Sequence, residues 1–106
     1  MNVRDLEATV RRFASDYGVL LVMAHWMAEH GEFDRAGVTS TYGPATPRTL
    51  KRFCDAGLIE NKSRPKGRGK RRTYYTMPDY VEIRRIVESA GWRIDASQSR
   101  ISVRRL

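Results

Sequence analysis

The chain has 106 residues, of which 41% are hydrophobic and 30% are charged. This is the length of one domain and the composition of a globular protein, which excludes an intrinsically disordered chain. The single cysteine, Cys54, cannot form an internal disulfide, which excludes a disulfide-stapled fold and favours a reducing cytoplasm. The longest segment without ionised side chains, residues 17–28, is shorter than the roughly 20 apolar residues that cross a bilayer, so we expect no membrane partner.

The excess of positive charge is concentrated in one segment. The chain has 20 Lys and Arg against 12 Asp and Glu, which gives a net charge of +8. Residues 62–77 contain seven basic residues and no acidic one, whereas residues 1–61 contain seven basic and eight acidic residues. A basic segment inside the chain, with glycines and with structured neighbours on both sides, predicts a displayed loop. Its charge predicts a polyanionic partner, nucleic acid before a membrane surface.

Residues 1–17 predict an amphipathic helix, because their apolar residues recur at spacings of three and four. These residues are Val3, Leu6, Val10, Phe13 and Tyr17. The apolar face either packs on the core of the domain or forms a dimer. Residues 19–28 are apolar except for His25, which predicts a central helix, and Gly31 is in place to end it.

Residues 46–56 predict a helix with clear boundary signals. Thr46 is a good N-cap, Pro47 suits the first helical position and Gly57 suits the end. Cys54 in this helix is predicted to be a packing residue, with a redox-sensitive thiol as the alternative. The preceding residues, 32–43, predict a short extended piece followed by a short irregular helix or turn.

The second half of the chain predicts strands around one further helix. Residues 59–63 and 73–77 predict two short strands on either side of a basic loop of eight residues, 64–71,. A helix is expected after Pro78, with Ile83, Ile86 and Val87 on one face and Gly91 at its end. Residues 91–106 form a tail that predicts either a second hairpin or a strand exchanged within a dimer.

Two stretches carry a resemblance to a known family. LKRFCDAGLIE (residues 50–60) resembles the end of a recognition helix that runs into a wing, and GKRRTYYTM (residues 69–77) resembles the return strand of that wing. Both are similar to the winged helix-turn-helix DNA-binding superfamily, in particular to MarR-type and PadR-type transcriptional regulators. The resemblance covers about residues 17–90. It implies an α+β, mainly helical fold with a two-stranded β-wing and flanking helices, in which residues 18–90 form the DNA-binding domain.

The residues themselves favour the same use. Leu50 and Phe53 must face the core, so Arg48 and Arg52, four residues apart, face outward. An arginine on a helix in the major groove can bind guanine with two hydrogen bonds, and we expect Arg52 to read a base in this way. Thr46 with the free amides of the helix start suits a phosphate. The predicted DNA-contacting residues are Thr46, Arg48, Thr49, Lys51 and Arg52 on the helix, and Lys62, Arg64, Lys66, Arg68, Lys70, Arg71 and Arg72 on the wing. Arg68, between two glycines, is predicted to enter the minor groove.

Together these features predict a sequence-specific transcriptional regulator that binds double-stranded DNA. We expect a homodimer, associated with a prokaryotic or viral nucleoid, and leave a small-molecule effector open. Two other classes stay open: a replication, chromatin or RNA-binding accessory protein with the same fold, and a protein-interaction module. The sequence has no nucleophile paired with a base and no acid–base pair, so we expect no enzyme, no cofactor and no metal.

Overall fold

The central helix α2 (Tyr17–His30) is surrounded by the other elements in a computed structural model, which describes residues 3–43, 45–66, 70–97 and 100–106. Every residue from Tyr17 to His25 is buried, as the nearly continuous apolar run predicts. Gly31 ends α2 with φ of 75°, and its N–H donates to the carbonyl oxygen of Met27 at 2.8 Å. The predicted glycine stop is therefore confirmed.

The described residues form a small α+β domain that is mainly helical, with five α-helices and two antiparallel hairpins. The helices are α1 (Val3–Arg11), α2, α3 (Arg35–Thr41), α4 (Pro47–Asp55) and α5 (Tyr80–Ser89). The strands are β1 (Glu60–Asn61), β2 (Arg64–Lys66), β3 (Lys70–Arg72), β4 (Tyr75–Thr76), β5 (Trp92–Ser97) and β6 (Arg100–Arg105). Side chains from α1 to α5 share one hydrophobic core.

The N-terminal apolar stripe belongs to that core. The predicted single helix over residues 1–17 is wrong, because α1 ends at Arg11 and a 3₁₀ turn (Ala14–Asp16) leads into α2. Leu6, Val10 and Phe13 are nevertheless buried, with 7% exposure or less, and α1 packs against α5. The apolar face of this segment therefore packs on the domain's own core, which is the first of the two alternatives. A homodimer would have to use another surface.

Helices α3 and α4 both begin with side-chain caps. The Asp34 carboxylate accepts the N–H of Gly37 at 2.9 Å, which starts α3 where the sequence predicts only an irregular helix or turn,. The Thr46 hydroxyl accepts the N–H of Thr49 at 3.1 Å, and Pro47 follows it as the first residue of α4. The predicted start of α4 is confirmed.

The first hairpin is longer than the sequence predicts. Glu60 pairs with Thr76, Arg64 with Arg72 and Lys66 with Lys70, so one antiparallel register runs through β1–β4 and β2–β3. The expected loop of eight residues is therefore wrong: the strands extend into it and leave residues 67–69 between them, which lie outside the described residues. The register continues because a hairpin, once paired at its base, extends along the same alignment.

The C-terminal tail forms a second hairpin. Strands β5 and β6 pair antiparallel from Trp92 opposite Arg105 to Ser97 opposite Arg100. Trp92, Ile94 and Val103 pack on the core, which explains their alternation in the sequence. The hairpin alternative is thus the one the structure shows. None of the described helices has the length and apolar character needed to cross a membrane.

Candidate nucleic-acid interface

Helix α4 presents a basic face opposite its buried face. Leu50 is 2% exposed and Phe53 is fully buried, so the opposite face carries Arg48 in its first turn and Asp55 two turns later. Gly57, with φ of 78°, ends α4, and the N–H of Leu58 donates to the carbonyl oxygen of Phe53 at 3.0 Å,. Local hydrogen bonds therefore define both ends of α4, and the burial of Leu50 and Phe53 decides which face points outward.

The three cations predicted on α4 have different surroundings. Lys51 pairs with Asp55 at 3.1 Å on the same helix. Arg48 is exposed and forms no ion pair with a carboxylate in the part of the chain that the structure describes. Arg52 lies at the edge of the face, toward the N-terminal segment, and its guanidinium is 3.7 Å from a carboxylate oxygen of Asp16. Arg48 is consequently the α4 cation best placed to reach an external ligand.

The two threonines of α4 are engaged with each other. Thr46 is exposed, Thr49 is half-buried, and their hydroxyl oxygens are 3.0 Å apart. The Thr46 oxygen also accepts the N–H of Thr49, and either of the two hydroxyls can donate to the other,. Where Thr49 is the donor between the two hydroxyls, the O–H of Thr46 is left to donate to an external acceptor, as the predicted phosphate contact requires.

The backbone register of β2 and β3 sets several of the predicted wing residues at opposite positions. Arg64 is the direct cross-strand partner of Arg72, and Lys66 is that of Lys70. Arg71 stands opposite Pro65 in the same register, while Arg68 lies outside the described residues. Like charges at directly opposite positions destabilise a hairpin. Binding of an anion to this hairpin would therefore reduce the repulsion and stabilise the pairing.

The base of the hairpin is tied to the helices. Lys62, the first of the predicted wing residues, pairs with Glu60 at 3.1 Å. Tyr75 in β4 exchanges two backbone hydrogen bonds with Phe33, at 2.8 and 3.0 Å, and their rings stack at 5.7 Å. The expected extended piece before α3 is therefore present as this bridge. It fixes the hairpin base against the segment that leads into α3.

A cleft of about 310 Å³ lies between α3, α4 and the hairpin. Arg35 at the start of α3, Pro47 at the start of α4 and Thr73 in the hairpin all line it. Arg35 is exposed and lies close enough to Tyr75 to oppose the burial that raises the pKa of this phenol. Sequence reasoning missed Arg35 as a candidate contact. Its place directly after the capping Asp34 was the available signal, since the first residues of a helix often contact phosphate.

Cys54 lacks the environment of a redox-sensitive thiol. Burial and, secondly, the neighbouring Asp55 raise the pKa of Cys54 above its ordinary value, so the reactive thiolate is disfavoured near neutral pH. Its contact with the hydrophobic core agrees with the predicted packing role. In the described ranges of the chain, no three His, Cys, Asp or Glu side chains come close enough together to hold a metal ion.

The structure thus brings the starts of α3 and α4 together with Thr73 and Tyr75 at the base of the hairpin. Arg35 joins them from α3, and Arg12, which lines a second cleft with Arg52, flanks them from the end of α1. No protein-family model, no curated protein and no solved structure matches this chain.

Proposed function

We propose that this chain is a winged helix-turn-helix protein that binds duplex DNA with sequence specificity and acts as a transcriptional regulator. The order of elements supports the proposal: α2, a bridging strand residue at Phe33, the pair α3 and α4, and then a hairpin. This is the order in which a winged helix-turn-helix presents its helices and wing. In this arrangement α4 is the recognition helix and β1–β4 with β2–β3 is the wing.

The observation that carries the proposal is the like-charge pairing in the hairpin. Two of the three residue pairs between β2 and β3 place basic residues directly opposite each other, in a segment of seven cations without a carboxylate. A duplex has one negative charge per about 1.7 Å of its axis. Its phosphates compensate such a row of cations without any special geometry, so the hairpin is suited to the DNA backbone or to a narrow minor groove.

Helix α4 supplies what the hairpin lacks, which is a rigid element that fits the major groove. Arg48 in its first turn is exposed and lacks a carboxylate partner among the described residues. Residues near the start of a recognition helix commonly contact base edges. We therefore assign base reading to Arg48, and backbone contacts to Thr46, Arg35 and the hairpin.

The test is fluorescence anisotropy of a labelled random-sequence duplex, titrated with the protein at several salt concentrations. Single-stranded DNA and RNA of equal length serve as controls. Each phosphate contact adds about 0.9 to the slope of log affinity against log salt, so about five contacts give a slope near −4.5. Tighter binding to the single strands would favour the RNA-binding or accessory alternative. Absence of salt-dependent binding would contradict the proposal and favour a protein-interaction module.

A further inference from the structure

Arg52 is exposed, but its guanidinium lies against two residues of the same protein. Its guanidinium carbon lies 5.1 Å from the centre of the Phe13 ring, and its Nη1 atom lies 3.7 Å from Oδ2 of Asp16. Both partners belong to the connection between α1 and α2. From this geometry we infer that Arg52 is a positioning residue, which sets the sequence specificity of α4 through Asp16 and does not itself read a base. The inference deepens the proposed function and rests on it.

The buried carboxylate of Asp16 is stabilised by the guanidinium of Arg52. Its Oδ2 atom is buried and has no hydrogen-bond partner in the described part of the chain, and its side chain is only 20% exposed. A buried carboxylate oxygen without a hydrogen bond is costly unless a cation lies near it. The guanidinium of Arg52, itself 52% exposed, is a cation at that oxygen. Moving Arg52 into a DNA groove would take this compensation from Asp16.

Phe13 completes the connection between the two segments. Its ring packs edge to face on Phe53 of α4, with ring centres 5.2 Å apart, while the Arg52 guanidinium lies on the same ring. Two consecutive residues of α4, Arg52 and Phe53, thus contact the connection between α1 and α2. The C-terminal half of α4 is fixed by these contacts, and the cap at Thr46 orders its first turn.

The position of Arg48 follows from this attachment, because Arg48 lies one turn before Arg52 on the same helix. Hydrogen bonds to base edges require strict geometry, whereas phosphate contacts chiefly fix register and tolerate small displacements. A loosened α4 should therefore lose discrimination between sequences while keeping most of its affinity for random duplex. This separation distinguishes a positioning role from a purely structural one.

The first test compares Asp16→Asn with the wild type on a duplex selected from a random pool and on random duplex. If Asp16 holds Arg52 in place, the substitution lowers the ratio of the two affinities by about three- to fivefold, the scale of a partly exposed ion pair. If Arg52 instead contacts DNA, loss of the competing carboxylate frees it and raises affinity. The matched control is Asp55→Asn, which also removes one negative charge near the same face but takes it from the ion pair with Lys51 and keeps the Asp16–Arg52 pair.

The second test uses Arg52→Lys and Arg52→Ala in the same assay. A lysine can remain over Phe13 and near Asp16, but it cannot make the two-pronged contact of an arginine with guanine. A positioning role therefore predicts that Arg52→Lys keeps most of the discrimination and that Arg52→Ala loses it as Asp16→Asn does. Circular dichroism checks that each variant is folded.

The outcomes separate this inference from the proposed function. Three results support the positioning role. Asp16→Asn lowers the discrimination between selected and random duplex, Asp55→Asn leaves binding unchanged or improved, and Arg52→Lys retains most of the discrimination. A larger gain of affinity in Asp16→Asn than in Asp55→Asn, or loss of discrimination in Arg52→Lys as large as in Arg52→Ala, would overturn it while wild-type DNA binding stands. A wild type without salt-dependent duplex binding would overturn the proposed function, and this inference with it.

Discussion

Alanine at Lys66, Arg68 and Lys70 together is expected to weaken binding to any duplex about a hundredfold near 0.15 M salt. Each lost phosphate contact lowers the slope of log affinity against log salt by about 0.9, which corresponds to roughly fivefold in affinity at that salt concentration. Three contacts therefore lower the slope by about 2.7. Because phosphates carry no base identity, selected and random duplexes should be affected alike.

A second triple variant with the same loss of charge tests whether position matters. Arg85, Arg104 and Arg105 are exposed on α5 and β6, outside α4 and the first hairpin in the sequence, and alanine at all three also lowers the net charge by three. We expect the salt slope of this variant to change by less than about one. Equal losses in the two triple variants would show that binding follows overall charge, and the wing would have no special role.

Alanine at Arg48 is expected to lower affinity for a selected duplex about tenfold to a hundredfold. A two-pronged contact of arginine with guanine is worth about 1–3 kcal/mol of discrimination, whereas loss of one cation alone costs roughly fivefold on any duplex. Anisotropy titrations on the selected and the random duplex measure the two losses separately.

Lys51→Ala is the matched control for Arg48→Ala. Lys51 is an exposed cation on the same helix, but it pairs with Asp55 at 3.1 Å, so its removal should weaken both duplexes slightly and equally. If Arg48→Ala also weakened both duplexes equally, Arg48 would be a backbone contact and base reading would have to come from another residue.

Local chemistry made parts of this interface predictable from the sequence. Thr46 followed by Pro47 marks the start of α4 because capping and the fixed proline backbone act within one turn. Gly57 marks its end because the left-handed backbone there suits glycine. Leu50 and Phe53 then define the buried face, and Arg48 follows on the opposite one.

The extent of the hairpin was not predictable in the same way. Arg64, Lys66, Lys70 and Arg72 are residues that local strand preferences do not favour, so the charged run looks like a loop. In the structure they pair because the register set by Glu60 opposite Thr76 extends through them. Cross-strand pairing, and not the residues' own preference, decides their conformation.

No local sequence pattern indicates the contacts that Arg52 makes. Asp16 and Phe13 are far from it in the sequence, and their contact arises only when α1, the 3₁₀ turn and α4 pack together. The helical spacing of Arg48 and Arg52 predicts one shared outward face. The structure separates the two side chains, because one of them has a carboxylate within reach and the other has none in the described residues.

Mapping of amide chemical-shift changes by NMR, on addition of a selected duplex, tests the central claim most directly. The claim is that α4 and the first hairpin together form the DNA-binding surface. The account predicts that the largest changes fall on the first two turns of α4, on the start of α3 and on β2 and β3, with little change in α5. Changes confined to α5 and the β5–β6 hairpin would contradict it.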